Sequence, residues 1–108
     1  MTDAPAPVQA VVDAINAADT HAFVAAFTPD GVVNDWGRVL TGPAGITSWA
    51  ETDAIGAGAR MRVIAATTID DVTEIRFDWR SSKFNGESTV FVTVRDGKVA
   101  EFRIPPEH

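Results

Sequence analysis

The chain has no cysteine, no tyrosine and only two histidines. Without cysteine neither a disulfide nor a thiolate metal site can form. His21 and His108 stand too far apart in sequence to suggest a shared metal site, so no metal is expected. Basic residues are also scarce: nine Lys and Arg face fifteen Asp and Glu, a net charge of −6. Such a surface repels phosphate backbones and anionic lipid, which excludes nucleic acid and membrane as expected partners. No apolar run approaches the ~20 residues of a membrane span. The opening M-T-D-A-P-A-P lacks the basic and apolar regions of a signal peptide, so a cytoplasmic protein is expected. Gly56 and Gly58 are not followed by the helix that a phosphate-binding loop requires, and no cofactor is expected.

What remains is an ordinary globular composition. A chain of 108 residues with 45% apolar side chains suits one domain that buries roughly two-thirds of its unfolded surface. Residues 1–6, with a proline at Pro5, should fray, leaving 7–108 as the domain. Pro7 suits a first helical turn, and Val8, Val11, Val12 and Ile15 follow at helical spacing. Asp19 or Thr20 can cap a second short helix that carries Phe23, Val24 and Phe27 inward, with Pro29-Asp30-Gly31 as its stop. Val32 to Trp36 alternates as a strand, placing Val33 and Asp35 on one face. A third helix follows Thr41-Gly42-Pro43 and carries Ile46 and Trp49. From Arg60 the period becomes two, giving strands over 60–70, 72–82, 88–95 and 98–104. Asp70-Asp71, Asn85-Gly86 and Asp96-Gly97 read as the turns between them. Helices gathered on one face of such a meander make an α+β layer with a mostly antiparallel sheet. A curved sheet wrapped on helices leaves a cone open at one end, a natural small-molecule site.

Four stretches carry a family likeness: I-N-A-A-D (15–19), F-T-P-D-G-V-V-N-D (27–35), G-P-A-G-I-T-S-W (42–49) and R-D-G-K-V-A-E-F-R (95–103). Through them the chain resembles the nuclear transport factor 2-like superfamily, in its SnoaL-like and ketosteroid-isomerase-like branch. The resemblance covers nearly the whole chain. It implies a cystatin-like cone of three N-terminal helices on a curved sheet, and a homodimer through the outer sheet face. It also places Asp35 where ketosteroid isomerases hold their general base. Those enzymes stabilise the developing enolate with a helical tyrosine and a protonated acid. Here the tyrosine position falls on Val11, and the stretch Phe91 to Arg95 has no acid. Limonene-epoxide-hydrolase-like proteins use an Asp–Arg–Asp set instead. Arg76 and Asp78 match two of its members, but Ile104 stands where the third belongs and Val33 near the place of its tyrosine.

The alternation Ile75, Phe77, Trp79 argues that these residues face the core and leaves Glu74, Arg76, Asp78 and Arg80 outside, against the hydrolase reading. Ile64, Val90, Val92 and Val94 are read as apolar residues of that outer face. The expected site is therefore Asp35 as general base and Arg38 as its orienting partner. Phe23, Phe27, Val33, Trp36, Trp49 and Phe91 are its expected wall around a small apolar molecule. Asp35 can equally be a solvated strand-end acid, and Arg38 a solvated loop arginine. Two functions stay open: a cofactor-independent isomerase, lyase or hydrolase, or a non-catalytic binding or dimerisation domain.

Overall fold

The computed structural model describes residues 4–106. The chain runs α1 (Ala6–Asn16), α2 (Thr20–Ala25), β1 (Phe27–Asp35), β2 (Arg38–Thr41) and α3 (Gly42–Asp53). A 3-10 turn at Ile55–Ala57 leads into β3 (Arg60–Ile69), β4 (Val72–Arg80), β5 (Asn85–Arg95) and β6 (Lys98–Ile104). The strands form one six-stranded sheet in the order β2-β1-β6-β5-β4-β3. Only β1 and β6 pair in parallel; every other neighbour is antiparallel. The helices pack on a curved sheet, the α+β arrangement expected.

Local chemistry explains most of the boundaries. Of the stretch expected to fray, residues 1–3 lie outside the described residues. Ala4 packs against the core and Ala6 already opens α1, with Pro7 in the first turn. Val8, Val11, Val12 and Ile15 bury the inward stripe of α1. Asn16 ties that helix to the sheet edge: its amide nitrogen donates to Met61 O at 2.8 Å, and its Oδ1 accepts from Met61 N–H at 2.7 Å. Asp19 caps α2 by accepting from the Ala22 N–H at 3.0 Å.

Three sequence expectations need correction. Phe27 opens β1 and does not close a helix, because it pairs with Val99 while Ala26 O accepts from Val99 N–H. Pro29-Asp30-Gly31 then forms an irregularity inside β1, between Phe27 and Val32, where pairing to β6 shifts register. Asn85-Gly86 is not a turn. Ser81 makes the turn instead: its N–H donates to Phe84 O, and its Oγ accepts from the N–H groups of Lys83 and Phe84. Asn85 and Gly86 thereby become strand residues opposite Arg80 and Trp79.

The third correction concerns parity in β5. Ser88, Val90 and Val92 point inward and are buried, whereas Phe91 lies on the outer face beneath the Arg103 guanidinium, 4.8 Å from the ring centroid. Val90 and Val92 are thus core and not outer residues, and Val94 also packs against the core. Ile64 sits half-buried at the β3 irregularity. Three β-branched residues at alternate positions outweigh one phenylalanine in deciding which face turns inward. Arg76 and Asp78 do lie outside, Arg76 paired with Glu87 and Asp78 with Arg80, both at 3.1 Å. They do not face the interior as an epoxide-hydrolase set would.

Candidate functional site

The cone narrows to a close-packed aromatic end. Phe23 touches Phe27, Trp49 and Phe102, with ring centroids 5.2, 5.8 and 6.3 Å away. Towards the other end the packing opens, and the inner face of β5 supplies the reason. Val90 and Val92 fill the closed half, but Ser88 and Gly86 stand opposite Phe77 and Trp79 in the open half. Small residues facing large rings leave room that the core does not fill. Gly86 is favoured there by its φ of 148°, a backbone conformation that residues with a Cβ rarely adopt.

The resulting cleft has a volume of about 230 Å³. Trp49, Phe77, Trp79, Ser88 and Ile104 line its inner part, and Asp35, Trp36, Asp53, Lys83 and Phe84 complete the wall. All three tryptophans of the chain border this one space.

The β1–β2 hairpin delivers Asp35 and Trp36. Asp35 pairs with Arg38 across a two-residue turn, and Asn34 Oδ1 accepts from Gly37 N–H at 2.9 Å. The turn needs positive φ at both central positions, and Trp36 supplies 56° and Gly37 92°. A left-handed tryptophan costs about 1 kcal/mol or more, yet it stands here with 55% of its surface exposed.

Asp35 is held by its neighbours. Trp49 Nε1–H donates to its Oδ2 at 3.0 Å, and Arg38 stands 3.7 Å from the same oxygen. Arg38 also forms an ion pair with Asp53 at the end of α3, and Asp53 takes Lys83 Nζ at 3.4 Å. The chain folds back closely just after α3, so that only glycine fits at Gly56, where a Cβ would lie 1.4 Å from Glu51 O. Asp35, Arg38, Asp53 and Lys83 therefore form one charge network at the mouth.

Among the expected site residues, Asp35, Trp36 and Trp49 line the cleft and Arg38 braces it from behind. Phe23, Phe27 and Val33 are buried in the core beneath it, and Phe91 is on the opposite face of the sheet. Val11, at the tyrosine position, is also core. Asp53, Phe77, Lys83, Phe84 and Ser88 reach the cleft unannounced. Only the alternation of β4 could have pointed to Phe77, while the others depend on the 81–84 turn and the end of α3. Among the described residues no cluster of acids and histidines could hold a metal ion. Among them, too, no helix is long and apolar enough to cross a membrane.

A family profile for the SnoaL-like domain matches residues 8–102. The chain belongs to that family. No curated protein matches it. Among solved structures, a candidate polyketide cyclase from Sinorhizobium meliloti shares 28% identity, with 94% of this chain and 95% of that one covered and a TM-score of 0.83. A ketosteroid-isomerase-like protein from Catenulispora acidiphila, in complex with trimethylamine, aligns at 19% identity over 97% and 88% of the two chains, TM-score 0.81. A computationally designed 17-OHP binder aligns at 13% identity over 94% and 88%, TM-score 0.82. The last two likenesses establish the shared cone of this SnoaL-like domain and nothing about its chemistry.

Proposed function

We propose that this SnoaL-like domain binds a small, largely apolar molecule in the cleft and that Asp35 serves it as general base. The observation that carries the reading is the Asp35 carboxylate, fixed by the Trp49 indole at the rim of an apolar, ring-lined space. A base must be held within reach of the carbon it deprotonates, and a rigid hydrogen bond from the cleft wall does that. The similarity to a candidate polyketide cyclase supports proton removal next to a carbonyl as the reaction class. Size narrows the substrate further. About 230 Å³ is larger than the ~150 Å³ cavity that accepts benzene, which suits a molecule of one or two rings.

A charge developing on the substrate oxygen needs donors. Lys83 and Ser88 are the polar groups of the β4–β5 side of the cleft, and they take the place of the absent helical tyrosine. Lys83 is engaged by Asp53, which favours the second reading, a binding domain without turnover. Asp35→Asn separates the two. Under the catalytic reading, hydrogen exchange or cyclisation of one- and two-ring ketones falls at least about a hundredfold, while the melting temperature stays put. Unchanged turnover, or a variant that fails to fold, sinks the catalytic role.

The assembly is proposed on separate grounds. Two copies pair through the outer sheet face, where Phe91 and Arg103 stack and the Arg76–Glu87 pair offers charges of both signs. Analytical ultracentrifugation reads that state directly. A cytoplasmic location is part of the same proposal and rests on composition alone.

A further inference from the structure

The cleft wall exposes more aromatic surface than a neutral apolar ligand requires, and it sets a carboxylate beside those rings. Five of the chain's nine Phe and Trp residues border it: Trp36, Trp49, Phe77, Trp79 and Phe84. Two of them, Trp36 and Phe84, keep 55% and 46% of their surface exposed at the mouth. Neither takes part in the ring-to-ring packing that joins Trp49, Phe77 and Trp79. Exposing large rings is unfavourable for a fold on its own. Trp36 adds the cost of left-handed backbone, which a bulky residue adopts only where its surroundings impose it.

The carboxylates in the wall are Asp35 and Asp53; Lys83 and Arg38 both pair with Asp53, and only Arg38 stands near Asp35. These four charges balance one another, and the net −6 of the whole chain favours the approach of cations over anions. Asp35 also has the looser of the two acid–arginine contacts, at 3.7 Å from Arg38. A cation arriving over the rings can compete for it.

Faces of aromatic rings attract positive charge through their quadrupole, most strongly where water is excluded. Resting on the reading of the cleft as a ligand site, we infer that it also accepts a second class of ligand, one with an alkylated ammonium or amine head, in competition with the proton-transfer substrate. The head sits among Trp36, Trp49 and Phe84 against the Asp35 carboxylate, and the apolar body of the ligand lies on Phe77 and Trp79. A neutral ring system would gain only burial from this wall, and an anion in the same place would meet the Asp35 carboxylate. Such a head occupies Asp35, so an ammonium ligand and a proton-transfer substrate exclude each other.

Tryptophan emission reports the cleft directly, since all three indoles border it and the chain has no tyrosine. Choline and its uncharged carbon isostere, dimethylbutanol, are titrated against the full chain at matched ionic strength. The expected result is choline binding about tenfold tighter than the isostere. That preference disappears in Asp35→Asn, shrinks in Trp36→Ala and is kept in Trp36→Phe, with circular dichroism verifying the fold of each variant. Equal or tighter binding of the isostere overturns the cationic class and leaves the small-molecule site standing. Silence from both compounds overturns the inference. Silence from the neutral one- and two-ring ketones as well removes the ligand site itself.

Discussion

The two ends of the aromatic column are built from similar residues and behave differently. At the closed end Phe23 packs against Phe27 and Phe102, and all three rings are buried. At the open end Trp36 and Phe84 stand half in solvent beside four charged side chains. Trp49 belongs to both. Its ring packs on Phe23 and Phe102, with centroids 5.8 and 5.7 Å away, while its N–H reaches Asp35. Rings that close on one another stabilise the fold, and rings left open beside charge are available to something else. The indole links the two because one edge is apolar and the other polar.

Substitutions at the two ends should separate most clearly in stability. Phe23→Ala removes a ring with no exposed surface and is expected to cost about 3–5 kcal/mol. Trp36→Ala is expected to stay within about 0.5 kcal/mol of the wild type, since the ring is half exposed and alanine keeps the Cβ that makes left-handed backbone costly. Urea titration of both checks this, and comparable losses at the two ends would erase the distinction.

The shared residue offers a finer cut. Trp49→Phe keeps a ring against Phe23 and removes the donor to Asp35. Asp35 retains 26% side-chain exposure and Arg38, so water can replace the lost bond. A loss of about 1 kcal/mol is expected, together with a much larger loss of ligand response. A variant that binds normally would mean that the indole N–H does not hold the carboxylate for function.

The smallest effect lies away from both ends, in the irregular part of β1. Thr28 Oγ1–H donates to Asp30 at 3.0 Å, and Arg95 reaches the same oxygen at 2.6 Å. The Thr28 hydrogen bond first and the Arg95 charge second hold the Asp30 carboxyl below its ordinary range. A carboxyl whose pKa is lower folded than unfolded binds fewer protons when folded. Its contribution is therefore present above its unfolded pKa of ~3.9 and is lost as pH falls through the lower folded value. Asp30→Asn should lower the melting temperature slightly near neutral pH, and the difference should close in acid. Being largely exposed, the pair should also weaken with salt.

Much of this was legible in the residues. The stripe of α1, the Asp19 cap, the Asp96-Gly97 turn and the alternation of β4 each follow from local periodicity or turn chemistry. The family motifs marked Asp35 and its neighbours. Phe91 was misread because a single aromatic looked like wall material, although Val90 and Val92 fixed the opposite parity. Asn85-Gly86 was misread because it is the strongest turn dipeptide in that stretch. The hydroxyl of Ser81 closes the chain four residues earlier, and strand pairing absorbs the dipeptide.

By itself, then, the order of residues determined the α+β class, the elements and the acid at the end of β1, because each rests on contacts within a few positions. Only the tertiary structure decided that Asp53, Lys83 and Phe84 meet Asp35 and Trp36 at one mouth. Those residues are separated by up to 49 positions in the chain, and no local rule fixes where a helix end, a turn and a hairpin converge. The cleft itself was decided the same way, by Gly86 and Ser88 falling opposite Trp79 and Phe77. A gap in packing belongs to the register of two strands and to neither strand alone.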